Sequence, residues 1–191
     1  MISERLRGML SGIMRAVGTT LGRTGLSPNA FTLIGFAAVA INAVLIALGY
    51  PQLAGLLLIV ALAIDSLDGA VARATGRISP FGAFLDSTLD RWAEVAIFFG
   101  MAFYLQGSWL DQAIIYWAVC GSLLVSYTRA RAEGIGVQCK EGFFTRFERV
   151  VVIIIGLLTL QLTIANAVVA VLATVTAVQR LAYVWQQSRE R

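Results

Sequence analysis

The chain has 191 residues, 58% of them hydrophobic and only 14% charged, with a formal net charge of +4. A soluble domain of this size is about a quarter charged, so apolar residues gathered into long runs make the bilayer the natural solvent and exclude an ordinary soluble enzyme. Histidine is absent, which removes the commonest general base and every His-based metal site, and leaves acid–base or metal chemistry to carboxylates.

In chain order, residues 2–21 come first. Ile2, Leu6, Met9, Leu10, Ile13, Met14, Val17 and Leu21 recur at helical spacing, with Arg5, Ser11 and Arg15 off that stripe. This predicts an amphipathic helix lying in the membrane interface, against the plainer alternative of a frayed tail. No compact apolar stretch with a cleavage site follows, so no signal peptide is expected. Six apolar segments then have spanning length: Ala30 to Leu48, Gln52 to Ala74, Phe81 to Leu105, Trp109 to Ala132, Phe147 to Ile164 and Ala165 to Trp185. Turn signals divide them at Gly49-Tyr50-Pro51, Ser79-Pro80, Gln106-Gly107-Ser108, Gly134 to Gly142, and Asn166. The expected fold is an all-α integral membrane protein, a single domain over residues 1–191, with six transmembrane helices after the interfacial one. Cys120 in an apolar run and Cys139 in a polar loop are expected to be unpaired thiols.

Charge sets the orientation. With six spans, the loops after spans one, three and five carry none of the 15 Lys and Arg residues, which gather toward the side of the two termini and the loops after spans two and four. The positive-inside rule makes that side cytoplasmic, in a multi-pass protein of the cell membrane.

Spans two and three hold the sharpest signal: Asp65, Asp68, Gly69, Ala72 and Arg73, then Gly82, Asp86 and Asp90. At helical spacing each set falls on one stripe, and packing span three beside span two brings four carboxylates together. Such a cluster near a low-dielectric interior is favourable only with cations in it, and all-oxygen ligation suits Mg²⁺ or Mn²⁺. Two ions about 4 Å apart suit displacement at phosphorus. Small Gly69, Ala72 and Gly82 leave room for a ligand, and Arg73 is built to hold a phosphate bidentately. The plainer reading pairs these aspartates with Arg73, Arg77 and Arg91 at helix ends. Ser27-Pro28-Asn29-Ala30-Phe31-Thr32 reads as a helix start, with Ser27 the N-cap and Pro28 the first helical residue. Its free N–H groups can also receive a phosphate or a base edge.

The spacing Asp-x2-Asp-Gly-x2-Ala-Arg-x8-Gly-x3-Asp-x3-Asp, met throughout Asp65 to Asp90, resembles the signature of the CDP-alcohol phosphotransferase family. The resemblance extends to an interfacial helix followed by six spans. It implies that Asp65, Asp68, Asp86 and Asp90 hold the metal ions and that Asp90 also takes the acceptor's proton. It further implies that Gly69, Arg73 and Ser79, with Asn29, Ala30, Phe31 and Thr32, bind the CDP moiety of a CDP-lipid, and that the enzyme is a homodimer. Nucleic acid is not an expected partner.

The flanks choose among acceptors. Phe84 to Arg91, Ser126 to Glu133, the set Gly142, Arg146, Glu148 and Arg149, and Gln179-Arg180-Leu181 are similar to the phosphatidylinositol-phosphate and archaetidylinositol-phosphate synthase branch. Arg129, Arg146, Arg149 and Arg180 come from three cytoplasmic helix ends and are expected to bind an acceptor's phosphate; the plainer reading is positive-inside bias alone. Three departures stand out: Arg129 replaces the Lys typical of actinobacterial synthases, and Trp92 and Glu94 replace smaller residues. The expected reaction is attack by inositol 1-phosphate on CDP-diacylglycerol or CDP-archaeol with release of CMP. Its rivals are a glycerol 3-phosphate acceptor and a divalent-cation transporter. Against the transporter, Leu53 to Ile64 carry no charge, so the carboxylates sit at one end of the membrane only.

Overall fold

The computed structural model describes residues 17–65, 67–139 and 141–189, and all regular structure among them is helical. A short helix, α1, covers residues 17–22, and the rest of the expected interfacial helix lies outside the described residues. There follow α2 (Pro28–Ala47), α3 (Pro51–Asp65), α4 (Leu67–Thr75), α5 (Pro80–Tyr104), α6 (Trp109–Gly134), α7 (Arg146–Thr159) and α8 (Leu162–Arg189). Among the described residues, four stretches are long and apolar enough to cross a membrane: Pro28–Ala47, Pro51–Thr75, Trp109–Gly134 and Leu162–Arg189. Large apolar side chains lie open on their surfaces, among them Ile41 at 60% exposure and Val178 at 57%. In water such faces would be a liability; against lipid tails they are the expected exterior, which marks the chain as a membrane protein.

The other two expected spans differ. α5 has the length, but Asp86, Asp90, Arg91 and Glu94 lie along it. α7 has 14 residues, about 21 Å of helix, shorter than a hydrocarbon core of about 30 Å. It stops because Leu160 turns left-handed, with φ at 60°, and its amide bonds back to the Gly156 carbonyl. The last helix therefore begins at Leu162, and Asn166, read from the sequence as the turn, is buried inside α8, its amide donating to Met101 Sδ at 3.7 Å.

The described chain divides into two compact units, residues 1–42 with 57–96, and residues 43–56 with 97–191. In the first, α1 comes down on α4: a Cβ at Gly18 would sit 2.5 Å from the Ala70 carbonyl oxygen, so only glycine permits this approach. Phe31, Val39, Leu58, Ala61, Ala70, Val71 and Ala93 form its interior.

In the second unit α8 is the central helix, with α6 and α7 packed along it. Small residues allow close packing: Gly121 meets Ala173, and Gly156 meets Ala165. The loop between α6 and α7 folds onto α8 at Gly142, where φ is +107° and a Cβ would lie 2.6 Å from Thr176 Cγ2. Thr176 is fully buried and cannot yield. Gly142→Ala should therefore cost about 1–3 kcal/mol of stability, read from denaturation in detergent. Both cysteines are free, but Cys139 is buried against Ala132 and Val137 despite its polar stretch of sequence.

Candidate active site

The first unit gathers most of the motif around one cavity. α2 opens as its sequence predicts: the Ser27 hydroxyl accepts the Ala30 amide at 3.3 Å, and Pro28 takes the first helical position. α5 repeats the device, with Ser79 accepting the Gly82 amide at 3.0 Å ahead of Pro80. These two starts set Asn29, Thr32, Ser79 and Gly82 on the wall of a cavity of about 300 Å³, to which Asp68, Gly69, Ala72, Arg73 and Asp86 also contribute. A Cβ at Gly82 would come within 3.2 Å of Asn29 Oδ1 and 3.0 Å of Ser79 Oγ, so this glycine keeps the two helix starts close together. Ala30 and Phe31 do not line the cavity. They follow Asn29 by one and two residues, which turns them away from the face Asn29 shares with Thr32, and Phe31 is buried in the unit's interior.

Asp68 is held at both oxygens. The Thr32 hydroxyl donates to Oδ2 at 2.8 Å, and the Gly69 amide donates to Oδ1. Arg73, one turn further along α4, lays its guanidinium back over Gly69, where a Cβ would be 3.1 Å from Nη1. Asp86 shares the cavity with Asp68. Asp90, the next turn of α5, lies outside its lining, with Oδ2 3.6 Å from Arg91 Nη1. The ion pair that the plainer reading foresaw is thus made at Asp90, although a contact of this length near the surface contributes little. The side chain of Asp65 lies outside the described residues, and among the described residues no three acidic, His or Cys side chains form a ready metal cluster.

The donors nevertheless fit a hard divalent ion. Every candidate ligand in this cavity is oxygen, and Asp68 has about four lone-pair sites, of which Thr32 and Gly69 use two. Sequence reasoning missed Arg77 and Ile78, which also line the cavity. The signal was present in Thr75-Gly76: Gly76 adopts φ +67°, and the Arg77 amide bonds to the Ala72 carbonyl at 3.0 Å, closing α4 and folding Arg77 back.

The four arginines assigned to an acceptor lie in the second unit. Arg180 and Arg149 are buried, at 3% and 1% exposure. Arg180 Nε donates to the Glu141 carbonyl at 2.9 Å and Nη1 to the Val125 carbonyl, tying α6 and the following loop to α8. Its charge is within electrostatic reach of Arg129 and Arg149. Arg129 is exposed and pairs with Glu133 at 2.9 Å. Arg146 opens α7 one turn before Arg149, behind Thr145, whose amide donates to the Glu148 carboxylate at 2.8 Å.

Residues 25–179 match the family model for CDP-alcohol phosphatidyltransferases. An archaetidylinositol phosphate synthase of Pyrococcus horikoshii is 37% identical over 179 residues, 93% of this chain and 94% of the relative. A phosphatidylinositol phosphate synthase of Cutibacterium acnes is 36% identical over 162 residues, 81% of this chain and 76% of the relative. Among solved structures, the Mycobacterium tuberculosis phosphatidylinositol phosphate synthase with CDP-DAG bound superposes with a TM-score of 0.83 at 30% identity, covering 91% of this chain and 94% of that one. The same enzyme in complex with manganese and citrate also gives 0.83 at 30% identity, covering 90% and 88%.

Proposed function

Because this chain belongs to the CDP-alcohol phosphatidyltransferase family, we propose that it transfers the phosphatidyl-type group of CDP-diacylglycerol or CDP-archaeol to inositol 1-phosphate, releasing CMP. The observation that carries the reading is the single cavity in which Asp68, Asp86 and Arg73 share walls with two capped helix starts. The names of the relatives support a phosphorylated inositol as acceptor.

In this reading Asp65, Asp68, Asp86 and Asp90 hold two divalent ions, Mg²⁺ or Mn²⁺, which when bound neutralise the diphosphate and favour displacement at phosphorus. A manganese-bound relative supports a divalent ion. Arg73 grips the diphosphate; Asn29 and Ser79 border the nucleotide. The acceptor hydroxyl attacks the lipid-side phosphorus, its proton passes to the Asp90 carboxylate, and the bond to the CMP oxygen breaks. Arg129, Arg146, Arg149 and Arg180 bind the acceptor's phosphate. The whole chain acts as one membrane domain of six spans and an interfacial helix, a homodimer with both termini and its chemistry on the cytoplasmic side, as the basic residues indicate.

The test is CMP release by the purified full chain with Mg²⁺ or Mn²⁺, CDP-diacylglycerol and a choice of acceptors. Inositol 1-phosphate should be used far better than free inositol or glycerol 3-phosphate. Preference for glycerol 3-phosphate would keep the chemistry and overturn the acceptor.

A further inference from the structure

Thr32 stands on α2, 36 residues before the carboxylate it touches. Its neighbours Leu33 and Ile34 are 52% and 47% exposed, whereas Thr32 is 4% exposed, so the polar side chain of this apolar turn points into the protein. A threonine in a helix ordinarily returns its hydroxyl proton to the carbonyl four residues back. Here that acceptor, the Pro28 carbonyl, is 3.3 Å away, while Asp68 Oδ2 is 2.8 Å away. With one proton to give, the hydroxyl goes to the nearer, charged acceptor. The Gly69 amide takes the other oxygen, so the carboxylate is gripped from two sides and cannot rotate freely about its terminal bond.

We infer that Thr32 is a positioning residue for metal binding: it fixes the plane of the Asp68 carboxylate so that the remaining lone pairs serve a divalent cation. This rests on the metal-dependent reading above and goes beyond it, because it gives Thr32 a task toward Asp68 rather than toward the nucleotide alone. The physical basis is that a partner which orients a ligating carboxylate typically contributes 10- to 100-fold to metal affinity.

The experiment is titration of Mn²⁺ into the metal-stripped full chain in detergent, without lipid substrate, read by calorimetry and by the loss of the free-ion paramagnetic resonance signal. Thr32→Val keeps the shape and removes the donor, and should weaken Mn²⁺ binding about 10- to 100-fold. Thr32→Ser restores a hydroxyl and should restore most of the affinity, which a merely structural role would not require. Melting curves of both variants identify any loss of folding, and Thr32→Ser keeps the comparison valid if the valine variant unfolds. Asp68→Asn serves as the reference for a lost ligand. If Asp68→Asn weakens Mn²⁺ binding while Thr32→Val binds like the unaltered chain and only raises KM for the CDP-lipid, the positioning role is wrong and Thr32 is a wall residue. If the unaltered chain binds no Mn²⁺ at all, the metal reading fails first and this inference fails with it.

Discussion

Asp68→Asn should lower CMP release on the order of 10³-fold, because losing a charged ligand removes several kcal/mol of transition-state stabilisation. The substitution is nearly isosteric, and its side-chain oxygen can still accept from Thr32, so the fold of the first unit should persist while the negative charge is gone. The measurement is single-turnover CMP release alongside a thermal melt. Asp90→Asn should also lose turnover but keep much of the CDP-lipid binding, since its proposed task includes taking the proton. Excess EDTA followed by dialysis should abolish activity, and adding back Mg²⁺ or Mn²⁺ should restore it. Full activity after that treatment would remove the metal from the account.

The second large effect concerns the acceptor. Arg146→Ala should raise the KM for inositol 1-phosphate roughly 10- to 100-fold while sparing that of the CDP-lipid, because one charge-assisted hydrogen bond is worth about 1.5–3 kcal/mol. Arg73→Ala should do the reverse, since Arg73 lines the cavity with Asp68 and Asp86. Arg180 is the poorer probe. Two of its nitrogens already donate to backbone carbonyls of α6 and the adjoining loop, so Arg180→Ala removes a brace and lowers stability as well as any acceptor binding. A kinetic deficit at Arg180 that vanishes at low temperature, where the fold is secure, would identify the brace as the larger contribution. Equal use of inositol and inositol 1-phosphate by the unaltered chain would rule out an anion pocket altogether.

Much of the site could be read from spacing because its parts are local. Asp65 to Arg73 and Gly82 to Asp90 each follow helical periodicity, and the Ser-Pro pairs at Ser27 and Ser79 announce helix starts through the chemistry of capping. What the sequence did not reveal depends on contacts far apart in the chain or on conformations its residues rarely adopt. No pattern links Thr32 to Asp68, and nothing in Arg180 foretells that two of its guanidinium nitrogens donate to the Val125 and Glu141 carbonyls. Leu160 is an unusual residue to close a helix with a left-handed turn, whereas Asn166 is an ordinary turn former, so the sequence points to a boundary between the last two helices several residues after the true one. Arg77 was legible in principle, since Thr75-Gly76 is a helix stop that returns the next residue toward the preceding turn.

In the proposed reaction the lipid-side phosphorus is the centre attacked. CDP-diacylglycerol labelled at that phosphorus, incubated with the full chain, Mn²⁺ and inositol 1-phosphate, tests it most directly. The label should appear entirely in a new phospholipid carrying a second, unlabelled phosphate, with unlabelled CMP released in equal amount. Label recovered in phosphatidic acid with the CMP joined to the acceptor, or label in the nucleotide product, would contradict it.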